Sequence, residues 1–216
     1  MAMLAAGRRG LYRYAGDRIL DDYARHCGLP SGIGRLVLLD DRVLAKVVET
    51  VGIPPKSAVL DIGCGRGFLA RWFLWNSLTC RYTGIDSPAG VAVDDAKFDR
   101  IFALESAPGI VSGSLAKCIA QNLNSGGRYA ITLASFDDSY AGNLSRSCAR
   151  LRRETGGVRA LDLTQQVREF AATLYSAMLM GRWAEPVKER VLNEAARALH
   201  AVESGSFNYT LLTGSM

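Results

Sequence analysis

The densest chemistry in the sequence lies in Val59-Leu-Asp-Ile-Gly-Cys-Gly-Arg-Gly-Phe68. An apolar run carries an acid, Asp61, and Gly63, Gly65 and Gly67 follow at alternate positions. Glycine tolerates positive φ and has no Cβ, so such a turn lets a ligand come up against the backbone. It also aims backbone N–H groups at that ligand, ahead of the helix expected from Phe68 onward. A glycine pattern alone is shared by several kinds of nucleotide-binding site. Two acids narrow it. Asp61 stands two residues before the first glycine, and Asp86 closes the strand-like run Arg81-Tyr-Thr-Gly-Ile-Asp86, where a ribose hydroxyl pair would sit.

This stretch resembles motif I of the class I S-adenosylmethionine-dependent methyltransferases, whose consensus is close to VLDxGCGxG. Thr83-Gly-Ile-Asp86-Ser-Pro88 is similar to the second strand of that family and its ribose-binding acid. Phe98-Asp-Arg-Ile-Phe-Ala-Leu-Glu-Ser106 is similar to the fourth strand with its substrate-side tip. Leu123-Asn-Ser-Gly-Gly-Arg-Tyr-Ala-Ile-Thr132 is similar to the LxPGGxxxI turn into the fifth strand, with Ser125 where proline is usual. The resemblance covers roughly residues 50 to 135, with a weaker echo at Phe207 to Thr213. It implies S-adenosylmethionine as cofactor. Asp61 and the turn Gly63, Cys64, Gly65, Gly67, with Phe68 behind it, would hold the methionine part. Asp86 and Ser87 would take the ribose side, and Ala103 and Leu104, followed by Glu105, would border the transferred methyl.

The sulfonium of that cofactor is already a good electrophile. The protein has only to align an acceptor with the S–CH₃ bond, exclude water and manage one proton. The tip Ala103-Leu-Glu-Ser106 lacks the Asn/Asp-Pro-Pro-Tyr/Phe of relatives that methylate amino groups of nucleic-acid bases and glutamine. It also lacks the Pro-Cys of cytosine-C5 chemistry. It resembles the branch that methylates small, mostly hydrophobic metabolites. Glu105 and His26 are the expected catalytic residues, with Tyr12, Tyr14, Tyr23 and Tyr140 as further candidate bases for which packing is the commoner role. His200 reads as structural. Two other functions stay open: a non-catalytic binding protein built on the same fold, and an RNA methyltransferase.

The last of these draws on charge. The net charge of +5 is concentrated partly at Arg146, Arg150, Arg152 and Arg153, a pattern more often a solvated helix face than a nucleic-acid surface. A small-molecule substrate is therefore the expected partner, and the oligomeric state is left open. The five cysteines are scattered with no CxxC spacing, and only His26 and His200 are available as imidazole ligands, so neither disulfides nor a metal site is expected. No apolar run reaches the eighteen residues of a membrane span, and Arg8 and Arg9 follow the start with no secretory core behind them, which predicts a cytoplasmic protein.

The elements that position these residues alternate. Residues 11–50 read as helical, with Leu36, Leu39, Val43 and Val47 as a core stripe, and Pro54-Pro55 end that segment. Strands are expected at Ser57–Ile62, Arg81–Asp86, Asp99–Leu104 and Arg128–Leu133. Helices are expected at Phe68–Trp75 and Ser114–Leu123, the latter stopped by Asn124-Ser-Gly-Gly127. Residues 137–183 read as loop plus helices, a lid in which Phe170–Trp183, together with Tyr12–His26, walls the acceptor pocket over Glu105. A helix from Pro186 to about Val202 and a strand from Phe207 to Thr213 close the chain.

Alternating strands and helices predict one α/β domain over 1–216: a Rossmann-like, doubly wound, mostly parallel sheet with an antiparallel last strand. Its parts are an N-terminal helical cap (1–50), a cofactor-binding core (51–135), the lid (136–184), and the last helix and strand (185–216). Between Asp86 and Phe98 only eleven residues intervene. They reach about 36–40 Å when extended, enough to cross the sheet but too little for a helix and a paired strand as well. The family's third strand is therefore expected to be missing, with the adenine side open or covered by the lid.

Overall fold

A computed structural model describes residues 38–65, 67–86, 96–108, 111–180 and 185–216. Helix α1 (Asp41–Val51) buries Val43, Leu44, Val47, Val48 and Val51, the inward face set by the apolar stripe. Asp40 starts it: its carboxylate accepts from the Val43 N–H at 2.7 Å, satisfying one of the donors a helix start leaves open. Leu38–Asp40, read as helical, precede the helix that Asp40 caps, and residues 11–37 of that reading, Leu36 among them, lie outside the described residues.

Strand β1 (Ser57–Ile62) is buried at all six positions, as a parallel strand covered on both faces must be. Helix α2 (Phe68–Trp75) follows the glycine turn. Strand β1 pairs parallel with β2 (Cys80–Ile85) on one side and with β3 (Phe98–Pro108) on the other. Helix α3 (Gly113–Asn122) leads into β4 (Leu123–Ser135), parallel to β3. Then come α4 (Tyr140–Thr155), β5 (Arg159–Asp162), α5 (Thr164–Met180), α6 (Glu185–Ser204) and β6 (Asn208–Ser215). The sheet order is β2-β1-β3-β4-β6-β5, and β6 is antiparallel to both of its neighbours.

Successive residues on each strand point to opposite layers, the two-residue period of a strand. Val59, Phe102, Ala130 and Leu211 meet α1, α2, α5 and α6 on one face. Leu60, Ile101, Ile131 and Leu212 meet α3 and α4 on the other. Each fully buried Leu, Ile or Phe contributes about 1.5–3 kcal/mol, so the two layers clamp the sheet. Cys80, Cys118 and Cys148 are free thiols, and Cys27 lies outside the described residues. The architecture is the Rossmann-like, doubly wound α/β sheet expected from the alternation of elements.

Two local readings are corrected. The stretch 137–183, read as loop plus helices, contains β5, whose residues Arg-Ala-Leu-Asp are all exposed. Pairing with β6 makes this segment a strand, so it carries no apolar alternation to announce itself. The fourth strand in chain order starts at Leu123, not Arg128. Its first residue pairs with Phe98, and the register then jumps to Arg100–Arg128 across the Asn124-Ser-Gly-Gly127 segment. Strand β2 is an edge among the described residues, and residues 87–95, on which the expected short crossover depends, lie outside them.

Candidate functional site

The glycine turn leaves β1 at the carboxyl edge of the sheet. The Gly63 and Cys64 N–H groups both donate to the Ile85 carbonyl, at 2.7 and 3.1 Å, which ties the turn to the end of β2. Gly63, Gly65 and Gly67 have φ of 79, 52 and 75°, left-handed values that suit glycine. A Cβ at Gly65 or Gly67 would meet none of the described residues within 4 Å, whereas at Gly63 it would stand 2.3 Å from the Cβ of Ser106. The first glycine therefore admits a neighbouring strand, and the other two have room beside them among the described residues.

Asp61, the acid of the motif, is fully buried at the end of β1. The Tyr82 hydroxyl donates to its Oδ2 at 2.5 Å. Asp61 pairs with Gly84 and Ile62 with Ile85, so Asp86 comes just past the strand end, where it is exposed. Cys64 is half-buried, and its Sγ lies 2.9 Å from where a Gly84 Cβ would be. Phe68 is 1 % exposed, its ring turned into the core beneath the turn.

The tip of β3 is irregular. Ala103 pairs with Ile131 and Ala107 with Leu133, so four steps along β3 match two along β4 and Leu104–Ser106 bulge out. Ala103 and Leu104 are buried. Glu105 has φ 53°. Its N–H donates to the Thr132 hydroxyl at 2.7 Å, and its carboxylate Oε1 accepts from the Leu38 N–H at 2.6 Å and the Tyr209 hydroxyl at 3.0 Å. The Ser106 Oγ is buried without a hydrogen-bond partner among the described residues. A run of rings connects this tip to α5: Tyr209 to Phe207 at 6.4 Å, Phe207 to Phe136 at 5.2 Å, and Phe136 to Tyr175 at 5.8 Å.

The structure thus brings Asp61, Gly63, Cys64, Gly65, Gly67, Ala103, Leu104 and Glu105 to one edge of the sheet, with Asp86 at the neighbouring strand end. His26, Ser87, Tyr12, Tyr14 and Tyr23 lie outside the described residues, as do Trp183 and the Tyr12–His26 wall. Tyr140 is hydrogen-bonded to Thr210, and His200 is exposed on α6. Sequence reasoning missed Tyr82, Thr132 and Tyr209. Their polar atoms reach the site across strands, and only the polar tips of otherwise apolar strand residues hinted at it.

Electrostatically the edge is sparse. At its outer side, the hydroxyl and N–H of Ser139 and the hydroxyl of Ser135 hold the Asp137 carboxyl below its ordinary value. At the opposite edge of the sheet, the Ala58 N–H and the Asn124 amide, both at 2.8 Å, do the same for Asp99. The basic segment is partly occupied: Arg146 donates to Asn143 and Arg150 to the Val111 carbonyl. Among the described residues no cluster of His, Cys, Asp and Glu could hold a metal ion, and no helix is long and apolar enough to cross a membrane.

No protein-family model matches the sequence, and no curated protein matches it. Solved structures match it by fold. One is phosphoethanolamine N-methyltransferase 2 of Haemonchus contortus with phosphomonomethylethanolamine and S-adenosylhomocysteine, at 13 % identity and TM-score 0.63, covering 97 % of this chain and 59 % of that one. The chain thus spans about three fifths of that protein's length. Another is geranyl diphosphate C-methyltransferase from Streptomyces coelicolor A3(2) with Mg2+, geranyl-S-thiolodiphosphate and S-adenosylhomocysteine, at 15 % identity and TM-score 0.52, covering 82 % and 76 %. A third is the [4+2]-cyclase SpnF, at 16 % identity and TM-score 0.54, covering 82 % and 81 %. The chain therefore shares the fold of these three proteins, two of which are methyltransferases.

Proposed function

We propose that this chain transfers a methyl group from S-adenosylmethionine to a small, mainly hydrophobic molecule. One observation carries the reading: three left-handed glycines stand at the carboxyl end of β1, and no described residue comes within 4 Å of a Cβ built at Gly65 or Gly67. Ligands of open α/β sheets bind in the crevice at the carboxyl ends of the strands, where the strand order reverses, and β1 is that strand here. The residues present fit the cofactor. The glycine backbone leaves room for it, and the buried Ser106 hydroxyl leaves a polar atom for a ligand to satisfy. The fold shared with two methyltransferases bound to S-adenosylhomocysteine supports the same choice.

When bound, S-adenosylmethionine supplies a methyl group already activated on a sulfonium. Asp61 and the turn from Gly63 through Cys64, Gly65 and Gly67 to Phe68 hold the methionine end. Asp86 and Ser87 would bind the ribose hydroxyls, and Ala103 and Leu104 would border the transferred methyl. For the proton released by the acceptor we retain Glu105 and His26, Glu105 working with the Tyr209 hydroxyl that it already binds. The rings from Tyr209 to Tyr175 pack in the core beside Glu105, and the hydrophobic acceptor is supported instead by the likeness of the Ala103-Leu-Glu-Ser106 tip to the small-molecule branch. The whole chain is proposed as one such domain, working in the cytoplasm.

Calorimetry with S-adenosylhomocysteine tests the reading. Gly65→Val should abolish binding in a protein that stays folded, because the added side chain occupies the open space rather than the core. Asp86→Ala should weaken binding by about 1–3 kcal/mol, the usual loss for a charge-assisted hydrogen bond. Unchanged affinity in both variants removes the proposal.

A second reading, cofactor binding without transfer, is favoured by one observation. Glu105 already takes two donors on one oxygen, so it is engaged before any acceptor arrives. The cyclase SpnF, on the same fold, is named for another reaction. Tight S-adenosylhomocysteine binding with no methyl transfer to a broad panel of small acceptors would select this reading.

A further inference from the structure

We infer that the outer face of helix α4 is a docking surface for an acidic helix of a partner protein. The surface goes beyond the methyl-transfer reading and shares no residue with the cofactor edge.

The two helical layers differ in charge. On one side of the sheet, α1 sets Arg42 and Lys46 against Asp41 and Glu49, and α5 sets Arg168 against Glu169. On the other, α3 and α4 carry Lys117, Arg146, Arg150, Arg152 and Arg153 against Glu154 alone. Arg152 and Arg153 stand in the last turn of α4, where the carbonyl end of a helix favours cations. That account does not reach Arg146 and Arg150. They sit mid-helix at a four-residue step, a spacing at which like charges face each other and weaken a helix. Both are held by neutral groups: Arg146 donates to Asn143 Oδ1 at 2.6 Å and Arg150 to the Val111 carbonyl at 2.7 Å. Such bonds fix a guanidinium in place and leave its charge intact for an anionic partner.

Shape selects the occupant. Ala141, Ser145 and Ala149 recur at four-residue steps along α4 and are all exposed, with Gly142 exposed beside them. They form a seam of small side chains that ends at the exposed Arg152 and Arg153. Arg146 and Arg150 stand one residue further round, on the side of α3, since Val111 lies just ahead of that helix. A second helix can approach such a seam closely, because the distance between helix axes is set by the side chains at the contact. Carboxylates flanking its own seam then meet the arginines, as charges beside a helix–helix seam do in setting partner choice. A single-stranded nucleic acid would instead need aromatic platforms for its bases. Helices α3 and α4 expose no aromatic residue: Tyr140 is half-buried and bonded to Thr210. A membrane surface would need large apolar side chains, and the exposed Leu74, Trp75, Leu161, Met180 and Met216 all belong to other elements.

Fluorescence anisotropy on the full chain tests this with labelled probes: an alanine-rich helical peptide with glutamates on one face, a peptide of the same composition with its glutamates spread round the helix, and a single-stranded RNA. The one-faced peptide should bind tightest, with an affinity that falls as salt rises. Arg146→Glu combined with Arg153→Glu should weaken that peptide about tenfold or more, through charge. Ala149→Trp keeps every charge and fills the seam, so it should weaken the same peptide comparably and leave RNA unaffected. The three substituted positions are exposed, so both variants should keep the wild-type melting curve. Equal binding of the two peptides, or wild-type affinity in Ala149→Trp, overturns the inference and makes the arginines a diffuse, solvated charge. No binding of the one-faced peptide overturns it as well. Tighter binding of RNA than of either peptide overturns it in favour of a nucleic-acid surface.

Discussion

The Gly63–Gly67 turn and the Leu104–Ser106 bulge stand side by side at the carboxyl edge of the sheet, and each bends backbone into the left-handed region. They are filled in opposite ways. Beside Gly65 and Gly67 there is room among the described residues, and the root of the turn is fastened through Ile85. Glu105 is fastened on every side described: through its N–H to Thr132, and through its carboxylate to Leu38 and Tyr209. A side chain at positive φ is strained by about 1–2 kcal/mol and persists only where surrounding bonds over-determine it. The turn is thus shaped to receive something, while the bulge gathers three parts of the chain onto one residue, two of them on its carboxylate.

The contrast can be tested by substitution. Gly63→Ala should have the largest effect, because its new Cβ would overlap Ser106 and sit at φ 79°. A loss of about 2–4 kcal/mol is expected in denaturant titration, and a near-neutral result would mean that the turn is looser than its contacts imply. Glu105→Ala comes next. It strands the Leu38 N–H and the Tyr209 hydroxyl without their acceptor, at about 1–3 kcal/mol. Glu105→Gln keeps an acceptor oxygen and should lose clearly less. If the Gln variant is as stable as wild type but inactive in methyl transfer, the carboxylate is a proton acceptor first and an anchor second.

Tyr209→Phe removes one of the two donors and leaves the ring stack in place, so about 1 kcal/mol of stability should go. The smallest effect concerns the far edge of the sheet, where Asp99 joins β1 to the start of β4. Its carboxyl is held below its ordinary 3.8 in the folded protein, first by the Ala58 N–H. Stability from this group is therefore present above about pH 4 and is lost as pH falls through the lower folded value. Asp99→Asn should make unfolding less dependent on pH below 4, by a small amount because the group is partly exposed. An unchanged acid limb would assign the acid sensitivity elsewhere, Asp137 being the next group to test.

How much of this was legible beforehand follows from the range of each interaction. The glycine turn, β1 and α2 are written in adjacent residues, because a buried strand, a tight turn and a helix start each have a local chemistry. The Asp40 cap and the valine stripe of α1 are local in the same sense. Strand β5 is not, since Arg159–Asp162 is a strand only by virtue of Thr210–Thr213 beside it. Nor is the fastening of Glu105: the Tyr209 hydroxyl comes from 104 positions away, and no spacing rule links them. Tyr82 lies between these cases. Its strand was plain, but the diagonal reach of its phenol depends on the empty place at Gly84, which only the register reveals.

The bulge also separates two inheritances. Strands β3 and β4 resume their ladder at Ala107–Leu133 after the irregular step, so the sheet does not depend on the detailed path of residues 104–106. Under the proposed function, a change of acceptor made at this tip leaves the register downstream in place, but the new tip has to keep an apolar residue at 104 in the core and an acceptor for the Leu38 N–H and the Tyr209 hydroxyl. Of the three positions, Ser106, with its buried hydroxyl lacking a partner among the described residues, is the one whose exchange disturbs the frame least.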